Sequence, residues 1–158
     1  MNSCDTTGLH LSALPRSLSA VPPIEMLTLA NHAEVQNGLL YLMGAGWDTV
    51  TRAYKEGKKP RPQTFSIAMS VRVPWLEHNQ RHEIVIRVED EDGHHQLMEA
   101  KANIEVGRPP GKVPGTYSRS PLVVTGIVQF PKPGGYRVRA TLGDEQRDYA
   151  FRVIDKVT

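Results

Sequence analysis

Alternation of apolar and polar side chains is the feature that most constrains this chain. Phe65, Ile67, Met69, Val71 and Val73 alternate with Ser66, Ala68, Ser70 and Arg72. Ile84, Ile86 and Val88 repeat the pattern, as do Tyr136, Val138, Ala140 and Leu142, and then Tyr149, Phe151 and Val153. Successive side chains of a strand point to opposite faces, so period two marks strands with one buried face.

Turn signals divide these segments. Pro22-Pro23 favours extended backbone and resists helix. A first strand is expected over Ile24 to Ala30 and a second over Leu39 to Met43, with the tight turn Asn37-Gly38 between them. Gly44-Ala-Gly46-Trp47 continues the second strand as a bulge or close backbone contact, with Trp47 in the core or at a sheet edge. Further strands are expected at about 64–73, 82–90, 95–106, 121–130, 135–142 and 146–154. Asp92-Gly93, Gly134-Gly135 and Gly143-Asp144 supply turns. Gly107 to Gly115 is too rich in Pro and Gly for regular structure and reads as a crossover between two sheets.

Eight or nine short strands with no convincing helix predict an all-β fold, a two-sheet immunoglobulin-like β-sandwich. A closed barrel with a ligand mouth is the competing architecture. At 158 residues the chain suits one domain. We expect a flexible N-terminal extension over 1–23 and the sandwich over 24–158.

Composition narrows the partners. The net charge is +2, from 19 basic and 17 acidic residues, which gives no general drive toward nucleic acid or membrane. No apolar stretch approaches the roughly 20 residues of a membrane helix. Leu9 to Val21 is too broken by His10, Pro15 and Arg16 for a secretory signal. The one cysteine, Cys4, reads as a tail residue and allows no intrachain disulfide, so a cytoplasmic location is expected.

Several separate motifs occur in order: Leu29 to Asp48 (LANHAEVQNGLLYLMGAGWD), Val73-Pro-Trp75, Arg81-His-Glu83, Glu89-Asp-Glu-Asp-Gly93 and Val106-Gly-Arg-Pro-Pro-Gly111. Together they resemble an uncharacterised bacterial family, common in actinobacteria, that is known as a domain of unknown function. The resemblance spans about residues 26 to 155 and implies a family but no activity. The closing segment, Pro133-Gly-Gly-Tyr136 through Asp148 to Val153, is similar to the last hairpin of immunoglobulin-like bacterial sandwiches. A shared fold does not imply a shared function.

Metal ligation is the first chemistry to weigh. His78 and His82 are four apart with Glu77 adjacent, and His94-His95 follows in a later turn. A zinc site needs three or four ligands converging on one point. Residues 75 to 82 read instead as a solvated connection, and His32 beside Glu34 as a turn residue. Glu89-Asp-Glu-Asp-Gly93 superficially resembles a calcium loop but lacks the twelve-residue ligand spacing. A hairpin turn with solvated carboxylates explains it more simply. Gly44-Ala-Gly46 lacks the third glycine and following helix of a phosphate loop. No serine sits in a G-x-S-x-G elbow. No catalytic residue, metal ligand or cofactor is therefore assigned.

Positive charge is the stronger signal. Residues 52 to 63 read as a basic, proline-bearing loop, with Arg52, Lys55, Lys58, Lys59 and Arg61 against Glu56 alone. Arg72, Arg87, Arg137, Arg139 and Arg152 fall at polar strand positions and form an arginine face if those strands share a sheet. The simpler reading pairs them across strands with Glu83, Glu89, Glu105 and Asp148. Arg108 and Lys112 sit in the stiff Gly107 to Gly115 loop.

We therefore expect a non-catalytic protein–protein interaction or assembly module with a protein partner or self-association. Its partner-binding set is Arg52, Lys55, Lys58, Lys59, Arg61, Arg72, Arg87, Arg108, Arg137 and Arg139. The competing reading is a small-ligand or metal-binding β protein, enzymatic activity included, that uses His32, His78, His82 and Trp47 or Trp75. Nucleic acid is not the expected partner, because aromatic interleaving and a high net charge are missing.

Overall fold

A computed structural model of the chain describes residues 22–158. The expected extension lies outside the described residues except for Pro22 and Pro23. Pro23 already joins the fold, since its carbonyl accepts the Arg72 N–H at 3.0 Å.

Nine strands follow one another: β1 (Ile24–Gln36), β2 (Leu39–Ala45), β3 (Thr49–Tyr54), β4 (Gln63–Val73), β5 (Arg81–Asp90), β6 (Gln96–Glu105), β7 (Ser118–Val128), β8 (Gly134–Leu142) and β9 (Glu145–Val157). A single 3-10 turn, Trp75–Glu77, separates β4 from β5. The strands form two sheets, ordered β2-β1-β4-β7 and β3-β9-β8-β5-β6. This is the two-sheet immunoglobulin-like sandwich that the alternation predicts. The barrel alternative fails because each sheet ends in free margins, β2 and β7 in one and β3 and β6 in the other. Gly107 to Gly115 carries the chain from β6 in one sheet to β7 in the other, as its composition suggests.

Two local expectations are revised. The first strand does not stop at Ala30 but runs to Gln36, because Asn37-Gly38 folds β2 directly back on it with Gln36 opposite Leu39. Asn37 and Gly38 have φ of 51° and 74°, the pair of positive values that a two-residue hairpin turn requires. The start of the basic loop is instead strand: β3 pairs in parallel with β9, from Thr49 opposite Arg152 to Tyr54 opposite Val157. That partner lies about a hundred residues away, so no local pattern announces it.

The core is the set of alternating residues. Leu29, Ile67, Met69, Val71 and Val73 from one sheet meet Ile84, Ile86, Val88, Val138, Ala140 and Val153 from the other, all fully buried or nearly so. Phe65, Phe130, Tyr136 and Phe151 close one end, with Phe130 and Tyr136 edge-to-face at 4.8 Å. Trp47 packs edge-on against Phe65 at 5.7 Å. Each such side chain contributes about 1.5–3 kcal/mol on burial, so these contacts hold the two sheets face to face.

Ile86 lies at the centre of this interface, opposite Ala140 in the β5–β8 ladder. We predict that Ile86→Ala lowers unfolding free energy by about 2–5 kcal/mol. Urea unfolding should show the loss as a lower midpoint with an unchanged slope.

Candidate functional site

The arginines expected to meet a partner are largely committed to each other's strands. On the outer face of the five-stranded sheet, Arg87 stands opposite Glu99, Glu89 opposite Arg137, and Arg139 opposite Asp148. Each register pair is an ion pair. Arg87 Nε lies 2.7 Å from Glu99 and Arg137 Nε 2.7 Å from Glu89. Arg139 donates through Nε and Nη2 to both oxygens of Asp148, at 2.9 Å each, and its Nη1 lies 3.2 Å from Glu89. The hydrogen bonds from Arg139 hold the Asp148 carboxyl below its ordinary range, and Asp148 in turn raises Arg139. Arg87 likewise lowers Glu99. This is the cross-strand pairing weighed in the sequence, although Arg152 on β9 stays exposed and, among the described residues, outside the ion pairs.

The remaining arginines scatter. Arg72 belongs to the other sheet, where its guanidinium lies 5.2 Å from the Tyr117 ring centre. Arg108 stacks 4.5 Å over Trp75 and donates to the Trp75 carbonyl at 2.9 Å.

Arg52 requires a correction. It is not a loop residue on the surface but a β3 residue that is only 4% exposed. Its Nε and Nη2 donate to the two oxygens of Asp155 at 2.7 and 2.8 Å, and Nη1 donates to the Phe130 carbonyl at 2.7 Å. Three of its five N–H groups are engaged in this way, and burial withdraws the guanidinium from a partner.

The connection between β4 and β5 is not the solvated loop expected. Glu77 and His78 are both 3% exposed. The Trp75 and His78 rings lie 5.4 Å apart, and the Asn79 N–H donates to the Val106 carbonyl at 2.8 Å. His78 Nε2 bonds the Val73 carbonyl at 3.2 Å, while its Nδ1 is buried without a partner. His82 Nε2 lies 3.7 Å from Glu77. His32 sits on β1 beside Glu34, far along the sheet from His78. Among the described residues, no group of three or more His, Cys, Asp or Glu is placed to hold a metal ion. The acidic run at the end of β5 also diverges. Glu89 faces Arg137 and Arg139, and Glu91 leans over Gly135. Asp90 accepts from His95 Nδ1 at 2.9 Å and from the His95 N–H at 3.1 Å.

Two surfaces are left unsaturated. Lys55, Lys58, Lys59 and Arg61 line a cleft of about 600 Å³ with Tyr54 and Thr158. The second surface is β2, a margin strand whose Leu39, Tyr41 and Met43 are 61%, 48% and 62% exposed. On the opposite face of the hairpin, Leu42 and Val35 are also exposed. In sequence, residues 39–43 are expected only as a strand. The available signal was its five apolar residues in succession, a run that breaks the alternation seen elsewhere.

Comparison with known proteins adds a family. The model of a family of unknown function (DUF6941) matches residues 25–154. No curated protein matches the sequence. Among solved structures, the CooA pilin subunit from enterotoxigenic Escherichia coli is similar at 10% identity and TM-score 0.35, covering 84% of this chain and 98% of that one. The Pseudomonas fluorescens alkylpurine DNA glycosylase AlkC, bound to DNA containing an abasic site analog, is similar at 10% identity and TM-score 0.33. That match covers 80% of this chain and 30% of the glycosylase.

Two predictions follow from this chemistry. The His95 hydrogen bonds hold the Asp90 carboxyl down at about 2. A carboxyl depressed in the folded state stabilises the fold above its unfolded pKa, and the contribution is lost as pH falls from about 4 toward 2. Carboxyl NMR titration should place Asp90 near that value, and His95→Ala should move it upward. Arg52→Ala should destabilise the protein by about 1–3 kcal/mol, because it leaves the buried Phe130 carbonyl without its donor. Chemical denaturation at neutral pH reads that loss, and Asp155→Ala on the Arg52→Ala background should add little further.

Proposed function

Because the chain belongs to a family of unknown function, DUF6941, we propose its role from its surface: a non-catalytic assembly module that associates through the β2 margin. The carrying observation is that β2 is a bare, apolar edge. An edge strand presents unpaired N–H and C=O groups to any passing chain, and proteins normally guard such edges with charge, proline or a bulge. Here the contrast lies within one sheet. The β1 carbonyls at Ile24 and Glu25, beyond the reach of β2, are occupied by Arg147 Nη1 at 2.6 and 3.0 Å. β2 itself, Leu39–Ala45, carries neither charge nor proline.

The occupant best matched to this edge is a second copy of the chain. Two β2 strands pairing antiparallel about a two-fold axis through Leu42 would set Leu42 opposite Leu42 and Tyr41 opposite Met43. Every facing pair is uncharged, so nothing repels, and the pairing would join four strands with four into one eight-stranded sheet. Exposed Leu39, Tyr41, Leu42 and Met43 would lose solvent contact, which supplies the drive. Among the described residues no helix is long and apolar enough to cross a membrane. A cytoplasmic setting fits a fold with a single cysteine in its sequence.

Mass measured by light scattering during size exclusion tests the reading. The wild type should elute as a dimer, whereas Leu42→Lys and Leu42→Glu should each be monomeric with unchanged circular dichroism. Mixing the two variants should restore the dimer, since opposite charges then meet at the axis. A wild type that stays monomeric at high concentration would remove the second copy as the occupant.

A further inference from the structure

The cleft beside β3 gathers four cations and gives them no counter-ion. Lys55, Lys58, Lys59 and Arg61 line it and are all exposed. Among the described residues none of the four enters an ion pair, unlike the arginines of the five-stranded sheet. Asp155 is consumed by Arg52 and by the Tyr54 hydroxyl, which donates to it at 3.1 Å. Glu56, the loop's one carboxylate, does not line the cleft.

The loop backbone holds these charges in place. The Lys58 N–H donates to the Lys55 carbonyl at 3.0 Å, and Gly57 takes φ +74°, as a type II turn needs at its third position. Pro60 and Pro62 restrict the backbone on both sides of Arg61. The Pro60 carbonyl accepts from Gln129 Nε2 at 3.2 Å, and the Thr158 N–H donates to the Tyr54 carbonyl at 3.0 Å. Four like charges are thus carried on a backbone that needs little ordering on binding. An anion among them would meet all four.

The chemistry of the set selects the anion. Three of the four cations are lysines, point donors suited to phosphate oxygens, and the fourth is an arginine, which can grip a phosphate with two donors. A cleft of about 600 Å³ matches a small molecule. A net charge of only +2 argues against a nucleic-acid duplex. We propose that this cleft binds a small molecule carrying an oligophosphate chain. The proposal is independent of association through β2, which lies in the other sheet.

Calorimetric titration of the full chain with sodium triphosphate tests it, at fixed ionic strength and with citrate as a tricarboxylate comparison. The expected result is saturable one-to-one binding, roughly tenfold or more tighter than citrate, that weakens as salt rises. The double variant Lys58→Gln, Lys59→Gln should weaken triphosphate binding by roughly tenfold or more. Its melting temperature without ligand should stay unchanged, since both side chains are exposed and unpaired. Absence of saturable binding would overturn the proposal. So would citrate binding of equal strength, or an affinity that the double variant leaves untouched.

Discussion

Pleating is the constraint on which the rest of this molecule depends. Each strand must send alternate side chains to opposite faces, so burying one face of each sheet leaves a second face to be accounted for. The two sheets solve that problem differently. The five-stranded sheet answers with charge, placing Arg87, Glu89, Arg137, Arg139 and Asp148 where the register makes opposite signs meet. The four-stranded sheet answers with small and apolar residues: Ala30, Ala33 and Ala68 form a buried cluster flanked by Leu40 and Val123. One surface carries a network of cross-strand ion pairs, while the other ends in the bare β2 margin.

Sheet margins show the same division. A sandwich, unlike a barrel, cannot avoid free edges. Where β1 runs beyond β2, Arg147 reaches across from β9 to take the Ile24 and Glu25 carbonyls. β3 is locked to β9 by Arg52 on Asp155, one of the few charged groups the fold buries. The lock also reaches the Phe130 carbonyl, tying the aromatic end of the core to the parallel pair. With Asp155 committed to Arg52 and Tyr54, Lys55, Lys58, Lys59 and Arg61 stand outside the ion pairs of the described residues. The structural use of one arginine thereby shapes the electrostatics of the cleft beside it.

The arginine residues show how far sequence reasoning reaches a site. Arg87, Arg137 and Arg139 were legible as outward-facing strand residues, and their pairing with Glu89 and Asp148 as a competing outcome. Which outcome holds depends on register, and register depends on strand neighbours that composition does not reveal. Arg52 was misread because its strand forms only by pairing with β9. Glu77 and His78 read as solvated because a short connection between strands normally is; both are buried, in a segment that distant residues hold, with Arg108 stacked on Trp75 and the Asn79 N–H on the Val106 carbonyl.

Alternation and turn chemistry by themselves determined the all-β class, the approximate strand positions, the core set from Phe65 to Val153 and the crossover at Gly107 to Gly115. These are local properties, fixed by the geometry of a few adjacent residues. Tertiary structure alone decided the strand order, the parallel β3–β9 pair, the burial of Arg52 and the exposure of Leu39, Tyr41 and Met43. Those outcomes depend on which strand lies beside which, a relation between residues far apart in the chain. A margin strand and a central strand can share one local pattern, and only the neighbour that is missing tells them apart.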